Sequence, residues 1–237
     1  MIFLKILNNQ GEIKLSEKGY FIKSEYLGEL NEGDKIQIHL DGANAIAVQF
    51  DDSLQESFLY LPNKSFTFTI PSKRDLQMGY NPQCFQGNRH LLFVREADDE
   101  EFYALRNIAL NSHDLRRKTG GYPHASANFV TREEPCFYER NAIDGEKNNQ
   151  GHGSYPFHSW AGGARNDLEY TLDFGREVEI EKLVFYLRAD FVKDTKGEPH
   201  DSYWKSIDIQ FDDGEVITGE FVMDRTVFPS EENEKGQ

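Results

Sequence analysis

The residues able to do chemistry gather in the second half of the chain. Both tryptophans stand in polar-aromatic clusters, His158-Ser159-Trp160 and His200-Asp201-Ser202-Tyr203-Trp204. His152 and Tyr155 lead into the first cluster, and Arg188 and Asp190 into the second. A flat aromatic face covers the C–H surface of a sugar ring, while His, Arg, Asp and Asn bind its hydroxyls. His152, His158, Trp160, Arg188, Asp190, His200, Asp201, Tyr203 and Trp204 are therefore the candidate ligand-binding residues, for a carbohydrate. Each tryptophan alone also suits a strand start in a core. Arg188 and Asp190, two apart, also suit an ion pair on one strand face.

Asn141-Ala-Ile-Asp-Gly145 carries the second chemistry. Asp144 before a turn glycine, with Asn141 and Asn148 nearby, offers carboxylate and carbonyl oxygens suited to a hard cation such as structural calcium. The spacing is not that of an EF-hand, and a plain Asp-Gly turn fits it as well.

Catalysis has less to stand on. Cys84 and Cys136 have no local His partner and read as buried, inert thiols. His124, His152, His158 and His200 lack the close spacing of a transition-metal site. Carboxylates are so numerous that a pair such as Asp190 with Asp201 carries no information. Gly120-Gly121 and Gly162-Gly163 lack the strand-to-helix context of a phosphate loop. No residue is assigned as catalytic. A sugar-active enzyme of hydrolase or lyase type, using the loops at 152–160 and 188–204, is the alternative; a structural or assembly module is the third reading.

These loops need elements to hold them. The chain has 237 residues, 26 basic and 41 acidic, for a net charge of −15. Such a chain is repelled by phosphate backbones and anionic lipid, so nucleic acid and membrane surfaces are not its expected partners. The charge is uneven: −1 up to Arg95 and −14 from Glu96 onward. That shift places a boundary near Asp98-Asp99-Glu100-Glu101, giving expected domains at 1–95 and 96–229 with a frayed tail at 230–237. Aromatics at 13%, with 19 Gly and 8 Pro, suit an all-β fold rich in turns. The apolar start, Met1 to Leu7, reads as a first strand without a cleavage site after it, which predicts a cytoplasmic protein.

Period-two alternation marks the first domain as a small antiparallel sandwich of five to seven strands, with no helix. Its strands are expected at 35–40, 45–50, 53–61, 65–70 and 90–95, besides the first. In the second domain, 101–111 suits a helix or an extended strand equally. Strands are expected at 168–174, 178–187, 207–211 and 216–222, with a turn at Asp212-Asp213-Gly214. The long stretch 112–167 reads as binding or ion-holding loops.

Five short elements in order carry a resemblance: Arg106-Asn-Ile-Ala-Leu-Asn111, Ala125-Ser-Ala-Asn128, Asn141-Ala-Ile-Asp-Gly145, Ser159-Trp160 and Leu172-Asp-Phe-Gly-Arg176. Together they resemble the discoidin (F5/8 type C, galactose-binding-like) family over roughly 104–222. The resemblance implies a galactose-binding-like jelly roll, a β-sandwich that is usually a non-catalytic carbohydrate-binding module. It also implies a structural calcium held through Asp144, and a Trp160 that packs inside the sandwich in many members. The chain ends about thirty residues early for a ~140-residue jelly roll, so an open sheet edge is expected, to be completed by the first domain, by a second copy in a homo-oligomer, or not at all. A loop at 192–198 reads as an insertion.

Overall fold

Alternation builds the first sheet. In β1 (Ile2–Leu7) the side chains of Ile2, Leu4 and Ile6 are buried, while Phe3 and Lys5 face outward. The computed structural model describes residues 1–148, 151–187 and 204–221. The chain forms two compact units, one of Met1–Asn148 with His152–Tyr186, the other of Asn149–Gly151 with Leu187–Gln237. The described fold is mostly β, with four antiparallel sheets and few helices.

Two of those sheets make up the first half. β1 lies between β2 (Ile13–Gly19) and β4 (Lys35–Leu40), and β4 pairs on with β7 (Ser65–Thr69). The second sheet runs β3 (Phe21–Leu27), β8 (Arg89–Glu96), β5 (Ala45–Gln49) and β6 (Ser57–Tyr60). Both turn their apolar faces into one sandwich-like core. Ile2, Leu4, Ile36, Phe66 and Phe68 of the first sheet share it with Ile22, Val48, Leu59, Leu92 and Val94 of the second. Phe50 sits centrally, 5.9 Å from the Phe66 ring and 5.7 Å from that of Phe68.

Three features differ from expectation. β2 and β3 add two strands, bringing the first half to eight. A short helix, α1 (Lys73–Gly79), also stands where none is expected. Ser72 Oγ accepts the Asp75 N–H at 3.1 Å, and Asp75 Oδ2 accepts the Ser72 N–H at 3.2 Å. This capping box satisfies two end groups that a lone turn leaves open.

The segment 101–111 resolves into a short helix, α2 (Asp99–Tyr103), followed by turns. Beyond it, β9 (His124–Ala127) pairs antiparallel with β10 (Tyr170–Asp173), the register setting His124 opposite Asp173. Between them lie three 3₁₀ turns, at Thr131–Glu133, Pro135–Phe137 and Glu139–Ala142. Residues 178–187 form no strand, contrary to expectation. A strand exists only as half of a pair, and this segment finds no partner strand among the described residues. In the second unit, β11 (Ser206–Gln210) and β12 (Val216–Glu220) form the expected hairpin. Its turn closes as Phe211 N–H donates to Glu215 O at 2.9 Å and Gly214 takes a φ of 90°. No helix among the described residues is long and apolar enough to cross a membrane.

Candidate functional site

The turns at 135–146 fold around a buried arginine. Arg140 Nε donates to Asp114 O at 2.9 Å, and its Nη1 donates to Gly79 O at 3.2 Å and to Asn141 Oδ1 at 3.0 Å. Nη2 donates to Ser112 O at 3.3 Å, and the guanidinium lies 4.2 Å from the Tyr80 ring centre. A planar fork with five donors can bridge several carbonyls at once, which lysine cannot. Arg140 thus ties α1, the 111–114 loop and its own turn together.

Asp144 supplies the negative partner. Its Oδ2 lies 2.5 Å from His158 Nε2 and 3.7 Å from Arg140 Nη2, and its Oδ1 accepts the Glu146 N–H at 3.0 Å. The next residue must be glycine. Gly145 has a φ of 98°, and a Cβ there would lie 2.6 Å from the Gln55 side chain.

Around this pair opens a shallow, polar cleft, lined among others by Gln55, Asn81, Arg140, Asp144, Glu146 and Tyr155. Tyr155 is fixed twice: its N–H donates to Met78 O at 2.9 Å, and its ring stacks on His158 at 5.3 Å. Partial burial pushes its phenol above the ordinary range, while hydrogen bonding to Asn81 opposes the shift. The Tyr80 hydroxyl and His158 Nδ1 are buried with no hydrogen-bond partner among the described residues. Such atoms are uncommon and costly. The carboxylates of the cleft are already engaged: Glu146 Oε1 accepts the N–H groups of Lys147 and Asn148, each at 2.9 Å.

Two buried histidines lie behind the cleft. His124 Nδ1 sits 2.8 Å from Asp114 Oδ1, and that hydrogen bond raises the imidazole pKa. His113 resembles a base beside a serine, with Nδ1 3.0 Å from Ser112 Oγ and 3.3 Å from Ser57 Oγ. Its other nitrogen settles the matter. Nε2 accepts the Phe50 N–H at 3.1 Å, so the neutral ring carries its proton on Nδ1 and has no lone pair for either hydroxyl. Burial pushes its pKa down to about 3. His113 is part of the core.

The sequence-expected residues fare differently. His158 and Asp144 are brought together; Trp160 is not. Trp160 packs against Val130, Cys136 and Phe137, donates Nε1–H to Phe129 O at 3.1 Å and lies 5.0 Å from the Tyr170 ring. His152 is exposed, and Trp204 belongs to the second unit. Arg188, Asp190, His200, Asp201 and Tyr203 lie outside the described residues. Of the calcium candidates, Asn141 gives its Oδ1 to Arg140 and its Nδ2 to Pro135 O at 2.9 Å. The cation facing Asp144 in this arrangement is the Arg140 guanidinium. Among the described residues, no group of three His, Cys, Asp or Glu side chains could hold a metal ion.

Arg140, Tyr80, Asn81, Gln55 and Glu146 were not legible as site residues. The one signal was Arg140 itself, a charge set between Pro135-Cys-Phe-Tyr138 and Ala142-Ile143. Compared with family models, curated proteins and solved structures, the chain matches none.

Proposed function

We propose that the protein is a non-catalytic carbohydrate-binding protein, that its second half is a galactose-binding-like jelly roll, and that the sugar sits in the cleft at Asp144. One observation carries this reading. A fixed carboxylate, two side-chain amides and an aromatic face, those of Asp144, Gln55, Asn81 and Tyr155, line one polar cleft. Planar polar groups pair with vicinal hydroxyls, and the tyrosine ring offers a face for a sugar's C–H surface. The engaged carboxylates favour binding over catalysis. Asp144 is held by His158 and Glu146 by two backbone N–H groups, so both stand as fixed acceptors for hydroxyl groups.

A thermal-shift screen of mono- and oligosaccharides, with and without calcium, tests this. A sugar-specific rise in Tm is expected, because a ligand that binds only the folded state stabilises it. Turnover of the hit makes the protein a sugar-active enzyme instead. A rise with calcium alone assigns a structural ion to the Asp144 turn and leaves the cleft without a sugar.

A further inference from the structure

A second, shallow and open cleft lies between β6, α2 and the segment after β10. Its walls are aromatic, with Phe58, Phe102 and Tyr122 among them, yet two arginines enter it, Arg106 and Arg176. Arg106 lies 4.9 Å from the Phe58 ring centre and 5.2 Å from that of Phe102. Arg176 lies 4.6 Å from the Phe102 centre and 5.3 Å from that of Tyr103. Both guanidiniums thus pack on one phenyl ring.

Among the described residues, neither is paired with a carboxylate. The hydrogen bonds they make run to backbone carbonyls at the edge of range, Arg106 Nη1 to Asn107 O at 3.5 Å and Arg176 Nη1 to Glu177 O at 3.4 Å. Arg106 Nε is buried with no partner. The nearby acids are engaged elsewhere, since Arg95 holds Glu101 at 2.6 Å and Glu56 at 3.6 Å. Burial and the neighbouring Arg176 charge together lower the pKa of Arg106. A chain with 41 acidic residues had many to place here. Two like charges, each half-buried, face one cleft and repel one another unless an anion joins them.

Gly175, just before Arg176, has a φ of 66°, and a Cβ there would lie 2.6 Å from the Tyr122 ring. Only glycine fits that approach.

We propose that Arg106 and Arg176 form an oxyanion site for the phosphate group of a small molecule. Two guanidinium forks present more donors than one carboxylate can accept, and a phosphate dianion matches both charges and offers three terminal oxygens. The overall negative charge works against long polyanions, so the ligand is small.

The test uses the full chain. Tm and calorimetric titrations are followed with sodium phosphate, with sodium chloride at matched ionic strength, and with sodium acetate, for wild type, Arg106→Gln and Arg176→Gln. A saturable response to phosphate beyond that of chloride or acetate is expected, with Kd weakened about tenfold or more in either variant, the loss of a charge-assisted hydrogen-bond pair. Arg176→Lys, which keeps the charge and loses the fork, is expected between wild type and Arg176→Gln, so the proposal stays testable if Arg106→Gln unfolds. Phosphate acting no more than chloride or acetate would overturn it, as would wild-type affinity in Arg176→Gln. Binding to phosphatidylcholine vesicles carrying phosphatidic acid, without any response to free phosphate, would also overturn it in favour of a lipid surface.

Discussion

His158 Nε2 and Asp144 Oδ2 lie 2.5 Å apart, and this contact joins the two ends of the loop that shapes the main cleft. The His158 side chain is wholly buried and that of Asp144 is 9% exposed, so the contact is largely shielded from water. The pair positions Tyr155, whose ring stacks on His158, and offsets part of the Arg140 charge.

Removing the carboxylate is therefore expected to be severe. Asp144→Ala leaves His158 without its acceptor and Arg140 without its nearest carboxylate, and should cost about 3 kcal/mol, the scale of a broken buried pair. Asp144→Asn keeps an acceptor and should cost less. Urea unfolding of both variants checks the order; equal costs would show that a neutral acceptor does not suffice and that the charge is what matters at this position.

A pH dependence follows from His113. Burial holds its pKa near about 3, below the unfolded value of about 6.5. The unfolded chain therefore binds the extra proton. The contribution to stability is complete above about pH 6.5 and is lost as pH falls towards about 3. Between pH 6 and pH 5 wild type should lose about 1 kcal/mol more than His113→Gln, the scale of one extra proton bound on unfolding. His124 has the opposite sign, because Asp114 raises it: its contribution is present below the unfolded pKa and fades as pH climbs through the raised value. Denaturant curves across that range, for both His→Gln variants, separate the two.

The thiols should be silent. Burial pushes Cys84 up to about 12, with Asp51 adding to the shift, and Cys136 is 1% exposed. A thiol reagent at pH 8 is expected to label neither in the native protein and both after denaturation. Fast labelling of native Cys84 would mean that the core opens there.

Trp160 and Tyr155 should part company. Trp160→Phe loses the hydrogen bond to Phe129 O and should cost about 1 kcal/mol, leaving sugar affinity as it was. Tyr155→Ala should leave the fold standing and remove binding. Tm and affinity, measured on each variant, give the comparison.

How much of this was legible depended on the range of the cause. β4 and β7 show in the sequence because Ile36, Ile38, Phe66 and Phe68 alternate with polar residues over a single segment. β3 does not, because its buried Ser24 breaks the apolar pattern and is satisfied by Glu17 of β2 in the other sheet, Oγ to Oε1 at 2.6 Å. α1 carried a local signal in Ser72 and Asp75, but seven residues ending in glycine give too little helical period. Asp144 was visible through its turn glycine. Arg140 was hidden because the carbonyls it binds belong to Gly79, Ser112 and Asp114, distant in sequence. The residue types of Trp160 and Trp204 pointed to sugar equally, and packing alone moved Trp160 to a core.

The central claim is that the Asp144 cleft takes a sugar, and the most direct measurement is a calorimetric titration of the screened hit into wild type, Asn81→Ala and Tyr155→Ala. The account predicts saturable binding to wild type, weakened about tenfold by loss of the Asn81 amide and abolished by loss of the Tyr155 ring. Unchanged affinity in both folded variants, or no sugar that binds wild type, would contradict it.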